Sequence, residues 1–251
     1  MELRHTHRIF VTAGLNKNAV LKICEAQAHH LLHVLRFKTG DVVRVFNGAD
    51  GEWRCEVVAT GKKDIEIAVR ELVRPQSPEP DLWLCPAPIK KAHFDYMMEK
   101  ATELGVSEIQ PILTQRTQIR EVNGDRIYAI CREAAEQSDR LTVPAIGGDA
   151  VALKDFVEIV PRDRLMIVCA EHGEAAPIEQ ALRAPAAAKF KKAAVVTGPE
   201  GGFSGEELEL LRKAPNACFV RLGPRILRAD TAAIAALTCW QALQGDWKTS
   251  G

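Results

Sequence analysis

Leu222-Gly223-Pro224-Arg225-Ile226-Leu227-Arg228-Ala229-Asp230-Thr231-Ala232 is the stretch whose reading decides the fold. An apolar run ending at Val220 leads into it and an alanine-rich helical run follows. Surface turns are short and built from Gly, Asn, Asp, Ser or Pro. Ile226 and Leu227 in the middle of this connection imply that it covers something apolar. Arg225 and Arg228, three apart, imply an anion or a base nearby. The competing reading is a plain strand-to-helix connection that carries charges.

Working outward, two similar loops precede it. Residues 165–169 read as a strand that ends at Ala170-Glu171-His172-Gly173, and residues 193–197 as one that ends at Gly198-Pro199-Glu200-Gly201-Gly202. Further strands are expected at 82–85, 109–113 and 217–222. Between them, Phe94, Met97, Met98, Ala101 and Leu104 mark a helix face closed by Gly105, and a helix over 125–140 buries Ile127, Ile130, Cys131, Ala134 and Ala135. Ser204 with Glu207 forms a capping box. Strands alternating with helices predict an α/β domain with a parallel sheet. Ligands of such sheets bind beyond the carboxyl ends of the strands, where these three loops lie. The glycines of the second loop allow close backbone approach to a ligand. The chain has no G-x-x-x-x-G-K-[ST] loop, no G-x-G-x-x-G after its first strand, and no Ser-His-Asp or cysteine nucleophile motif.

The front of the chain differs. Arg4, His5, His7 and Arg8 form a basic arm before a short strand at 9–11. A helix over 25–35 carries Ala28, Leu31, Leu32 and Leu35 on one face, with His29 and His33 four apart on it. The glutamate and third ligand of a zinc site are absent, so no metal is expected. After Gly40 the period changes to two: Val43 and Val45, then Trp53, Cys55 and Val57, then Ile65, Ile67 and Val69, joined by turns at 47–51 and 61–64. This is an antiparallel β module suited to recognition. Three prolines in Arg74-Pro75-Gln76-Ser77-Pro78-Glu79-Pro80 mark a linker, so the domains are expected at 1–75 and 76–251.

With 33 basic and 33 acidic residues in 251, net charge is zero, and any RNA surface must be a local patch. Arg4, Arg8, Arg36, Lys38, Lys90 and Lys91 are the candidate stripe for it. Seven scattered cysteines, none spaced C-x-x-C, predict a reducing, cytoplasmic setting. No apolar run approaches the ~18 residues that span a membrane.

Gly198-Pro199-Glu200-Gly201-Gly202-Phe203-Ser204 followed by Leu222-Gly223-Pro224-Arg225-Ile226-Leu227-Arg228 resembles the trefoil-knotted SPOUT methyltransferases, and more narrowly the ribosomal RNA small subunit methyltransferase E family. His30-Leu31-Leu32-His33-Val34-Leu35-Arg36 with Gly40-Asp41 is similar to that family's PUA-like N-terminal domain. Lys100-Ala101-Thr102-Glu103-Leu104-Gly105-Val106 and Glu133-Ala134-Ala135-Glu136-Gln137-Ser138-Asp139-Arg140 are similar to its central helices. One departure stands out: Ala229-Asp230-Thr231-Ala232 lies where the family usually has Thr-Glu-Thr-Ala.

The resemblance implies a knotted α/β domain behind a PUA-like β-barrel, S-adenosylmethionine as methyl donor, a homodimer, and methylation of uridine N3 in 16S rRNA of the small subunit. It also implies a donor site at Ala170, Gly198, Glu200, Gly201, Leu222, Gly223, Ile226 and Leu227. The proton on N3 must be removed or the resulting anion stabilised, and an arginine beside the base would do the latter. Arg228 is the first candidate, followed by Arg8 and Arg140. Asp230 is either a base or, because it precedes a helix, an N-cap. The alternatives are a related SPOUT enzyme acting on ribose 2′-oxygen or another base, and a non-catalytic rRNA-binding assembly factor.

Overall fold

The computed structural model describes residues 6–170 and 175–248; Arg4 and the 171–173 part of the first loop lie outside them. Contacts divide the chain into two units. The first holds residues up to Pro78 together with Ala135–Thr142, and the second holds Glu79–Ala134 and everything from Val143 onward.

In the first unit β1 (Arg8–Phe10), β2 (Val20–Cys24), β3 (Val42–Phe46), β4 (Glu52–Thr60) and β5 (Asp64–Arg74) form one sheet in the order β1-β3-β4-β5-β2. The period-two pattern sends Val43, Val45, Cys55, Val57, Ile65, Ile67 and Val69 into a common core. β3, β4 and β5 make the expected antiparallel meander, while β1 adds to β3 in parallel. The helix expected over 25–35 is instead a short α1 (Glu25–His29) running into a π-helical turn (His30–Val34). The Leu35 N–H reaches the carbonyl of His30, five residues back. Arg36, at φ 58°, then turns the chain out of the helix. The wider turn leaves Leu31 fully buried and Leu32 and Leu35 only half-buried.

The second unit is built on seven parallel strands. They are β6 (Leu82–Pro86), β7 (Glu108–Ile109), β9 (Ala145–Ile146), β11 (Arg164–Cys169), β12 (Ala176–Pro177), β13 (Lys192–Thr197) and β14 (Ala217–Arg221). Their order is β12-β14-β11-β13-β6-β7-β9. The strand expected over 109–113 is two pieces. Pro111 has no N–H to give a ladder, so β7 stays with β6 and β8 (Ile112–Leu113) pairs separately with β10 (Val151–Ala152). Both faces of the sheet are covered, as a parallel sheet requires. Leu84, Ile167 and Val195 face α2 (Lys91–Glu103), α5 (Ile178–Arg183) and α8 (Ala229–Leu243). Cys85, Met166, Val168, Ala194 and Val196 face α4 (Leu153–Ile159) and α7 (Gly205–Arg212). Two helices complete the list: α3 (Gly124–Gln137), which ends before Asp139 at φ 61°, and α6 (Pro185–Ala188).

Two local devices set the loops that matter. The capping box forms as expected: Ser204 Oγ accepts from the Glu207 N–H at 3.2 Å, and Glu207 Oε2 accepts from the Ser204 N–H at 2.8 Å. Glu207 Oε1 also accepts the Gln115 N–H, which ties the loop at 114–117 to the start of α7. At the end of α2, Gly105 has φ 81°, and a Cβ there would stand 2.7 Å from the Gln241 amide of α8. That amide donates to the Leu104 carbonyl, so α2 and α8 lie close enough for their side chains to meet.

Candidate active site

β11, β13 and β14 end together, and beyond their carboxyl ends lies a pocket of about 700 Å³. That volume is in the range that holds a cofactor-sized molecule. Ala170, Gly198, Glu200, Gly201, Leu222, Gly223, Ile226, Leu227 and Arg228 all line it, so every donor-site residue expected from the resemblance converges on this pocket.

The backbone shapes the walls. Gly202 (φ 65°) closes a turn whose N–H returns to the Pro199 carbonyl at 2.8 Å, and Gly223 (φ 108°) redirects the chain out of β14. A side chain at either would be strained. Arg116 pins the glycine-rich loop by donating from Nη1 to the Gly201 carbonyl at 2.6 Å. Two features of the pocket lining ask for a ligand. Thr197 Oγ1 is buried at the end of β13 without a hydrogen-bond partner, which is costly unless something fills the pocket. Ile226 is 77% exposed in a loop whose neighbours are already placed, an apolar side chain with no protein to cover it. Cys169 contributes a neutral wall, since burial pushes its thiol up to about 12.

The pocket is positively charged. Arg116, Arg221, Arg225 and Arg228 line it and are all exposed, against the single carboxylate Glu200. Such a wall attracts a polyanion. Arg228 also sits 4.0 Å from Asp230 Oδ1 through its Nε.

Asp230 does not cap α8. The capping position is Arg228, without a side-chain cap, and Asp230 lies within the first turn. Its carboxylate is buried and committed: Oδ1 accepts the Thr231 N–H at 2.9 Å, and Oδ2 lies 2.9 Å from Nδ1 of His93 on α2. The N-cap expectation is thereby corrected. Asp230 remains in favourable register with the helix dipole, but its main partner is a side chain of another helix.

Arg8 and Arg140 belong to the first unit, and both are buried there. Arg8 Nε donates to Glu52 Oε1 at 2.5 Å, and its terminal nitrogens donate to the carbonyls of Ala135, Glu136 and Arg140. Its guanidinium also covers the Phe46 ring at 4.5 Å. Burial lowers the Arg8 pKa, and its bond to Glu52 works against that. Arg140 donates to Thr142 Oγ1. The basic arm expected here is thus corrected at Arg8, whose donors are occupied in binding residues 135–142 to the β module. Arg36 and Lys38 are exposed in the first unit, and Lys90 and Lys91 are exposed at the start of α2 in the second. Among the described residues no cluster of His, Cys, Asp or Glu could hold a metal, and no helix is long and apolar enough to cross a membrane.

The RNA methyltransferase domain family matches residues 75–241, and the RNA methyltransferase PUA domain family matches residues 23–70. The ribosomal RNA small subunit methyltransferase E of Rickettsia conorii is 34% identical over 92% of this chain and 93% of its own. The chain belongs to the ribosomal RNA small subunit methyltransferase E family. The family's protein from Synechocystis is 30% identical, over 94% of this chain and 78% of its own. Among solved structures, a methyltransferase of Legionella pneumophila with bound SAM is 28% identical, with a TM-score of 0.85 over 96% of this chain and 99% of its own. The family's enzyme from Neisseria gonorrhoeae, also bound to S-adenosylmethionine, has the same fold: TM-score 0.85, 24% identity, covering 97% of this chain and 100% of its own.

The pocket's size and lining fit the S-adenosylmethionine that those two structures hold. Its adenine can lie against the apolar faces of Leu222, Ile226 and Leu227, and its polar groups can take the unpartnered Thr197 Oγ1 and the backbone of the glycine-rich loop. Sequence reasoning missed four residues here: Arg116, Thr197, Arg221 and His93. Thr197 and Arg221 end their strands and were within reach of the carboxyl-end rule. Arg116 comes from a loop far off in sequence. His93 follows Lys90-Lys91 at the start of a helix, and nothing local links it to Asp230.

Proposed function

We propose that this protein methylates N3 of a uridine in 16S rRNA within the small ribosomal subunit, using S-adenosylmethionine. Arg228 carries the reading. It is an exposed guanidinium on the wall of the donor pocket, two residues from Ile226, whose apolar side chain is left exposed. The bound donor supplies an electrophilic methyl group. The protein's share is to align the base and exclude water, and to stabilise the charge that develops on the uracil oxygens, which a preorganised arginine does well. Ala170, Gly198, Glu200, Gly201, Leu222, Gly223, Ile226 and Leu227 hold the donor.

The names of the relatives support the rRNA substrate. The four arginines support RNA entering over this face, with Lys90 and Lys91 of the same unit and Arg36 and Lys38 of the β module as further phosphate contacts. In this reading the division of labour follows the linker: residues 1–75 recognise RNA and residues 76–251 carry out transfer. The enzyme is a cytoplasmic homodimer with the family's knotted threading. The interior place of β14, the last strand, between β12 and β11 supports that threading.

The test is methylation of purified unmodified small subunits with labelled donor, followed by nucleoside analysis. N3-methyluridine is the expected product. A ribose-methylated or other base product, or no transfer by a protein that binds the donor, overturns the reading.

A further inference from the structure

We infer that His93, oriented by Asp230, accepts the N3 proton of the target uridine; this rests on the uridine-N3 reading above. N3–H is a weak acid, and a methyl group cannot be accepted at N3 while the proton holds the nitrogen's electron pair. Arg228 can stabilise an anion but has no vacant site to take a proton, because a guanidinium only donates. A base is therefore missing from the pocket wall itself, where the one carboxylate is the exposed Glu200 of the glycine-rich loop.

The geometry supplies one through Asp230, which neighbours a lining residue. The Asp230 carboxylate lies between two groups: Arg228 Nε is 4.0 Å from Oδ1, and His93 Nδ1 is 2.9 Å from Oδ2. Arg228 and Ala229 line the pocket, and Ala232 lines it one residue beyond Thr231. The imidazole is thus one carboxylate away from a guanidinium that lines the pocket. A carboxylate only accepts hydrogen bonds, so Nδ1 must carry the hydrogen, and in the neutral imidazole Nε2 then presents its lone pair. Asp230 is buried, its side chain 10% exposed, whereas the His93 side chain is 39% exposed. Nε2 has no partner among the described residues. A buried carboxylate that fixes the tautomer of a half-exposed histidine is how a proton acceptor is held ready. The other charged groups nearby on α2 are Lys90 and Lys91, both exposed, and Asp95, which is paired with Arg126.

The step balances. The N3–H bond breaks and its proton passes to His93 Nε2. The freed pair on N3 forms the bond to the methyl carbon as that carbon's bond to sulfur breaks, with the sulfur keeping the bonding pair. The positive charge lost from sulfur reappears on the imidazolium and leaves as a proton to water. Asp230 is a positioning residue and touches neither reactant.

Two measurements on the full-length protein test this. Long-range ¹⁵N NMR of the ligand-free protein should show His93 protonated at Nδ1, and in Asp230→Asn this preference should be lost. An Nε2–H tautomer in the unmodified protein overturns the proposal. With small subunits as substrate, His93→Ala should lower kcat by on the order of 10²–10⁴-fold with donor affinity by calorimetry unchanged, and added imidazole should restore at least about tenfold of the loss. A His93→Ala rate within about threefold of the parent overturns it, as does a loss that imidazole leaves untouched. If the parent protein makes N3-methyluridine and His93→Ala does so equally well, only the dyad falls. If the parent makes a different product, the N3 reading falls and takes the dyad with it.

Discussion

Arg8 and Arg228 each stand beside an acidic side chain, and the two have opposite fates. Arg8 is buried, with its nitrogens occupied by Glu52 and three carbonyls of residues 135–140. Arg44 and Arg74 bring two more guanidiniums to the same Glu52, which is fully buried. Burial pushes the Glu52 carboxyl up, but the bonds from Arg8 and Arg74 outweigh it and leave the carboxyl below its ordinary range. Around the pocket the arginines are exposed, and among the described residues Arg221 and Arg225 have no protein partner. The contrast teaches that an arginine's function depends on its unspent donors. A saturated guanidinium holds a fold together, whereas one left facing a cavity binds or stabilises something else.

The comparison breaks most visibly at Arg228. Arg228→Ala should lower turnover on small subunits by about 10²–10³-fold with melting temperature unchanged, as loss of a transition-state donor does. Melting that falls along with activity would make Arg228 structural after all. Glu52→Gln should do the reverse. It leaves buried arginines underpaired and should cost about 3 kcal/mol or more of stability by chemical denaturation, with donor affinity by calorimetry unchanged.

The same carboxylate gives a pH dependence. Its folded pKa is depressed, so its contribution is full above the unfolded value of 4.5 and is lost as pH falls through the lower folded one. Parent and Glu52→Gln should therefore differ in stability at neutral pH and converge in acid; a constant gap down to low pH refutes the assignment. Ile226→Ser should weaken donor binding by roughly tenfold, the scale of one buried aliphatic side chain, without lowering melting. The smallest effect is expected at Lys90→Ala or Lys91→Ala, each reducing the salt dependence of RNA binding by about one phosphate contact.

Much of the second unit is legible in local pattern, because a strand in a covered parallel sheet is an apolar run of short length and its caps are short-range. The Ser204–Glu207 box and the Gly105 terminus are of this kind. The π-turn at His30–Val34 is not, since leucines at helical spacing look the same whichever carbonyl their N–H groups reach. Nor is the break at 109–113, where Pro111 sends two apolar halves to different sheets. The loops that line the pocket were readable because they follow strand ends. The fates of Arg8 and Arg140 were not, because a basic residue near a terminus and one on a helix face carry no mark of what will bury them.

What the sequence by itself determined is the alternation of strands and helices, the β module ahead of it, and the three connections that follow the strand ends. These depend on period, glycine and proline, which act within a few residues. Only the tertiary structure decided which arginines are spent and which are free, and that His93 meets Asp230 across 137 positions. Both depend on distances between elements, and those are set when α2 and α8 pack together at Gly105 and when residues 135–142 settle on the β module.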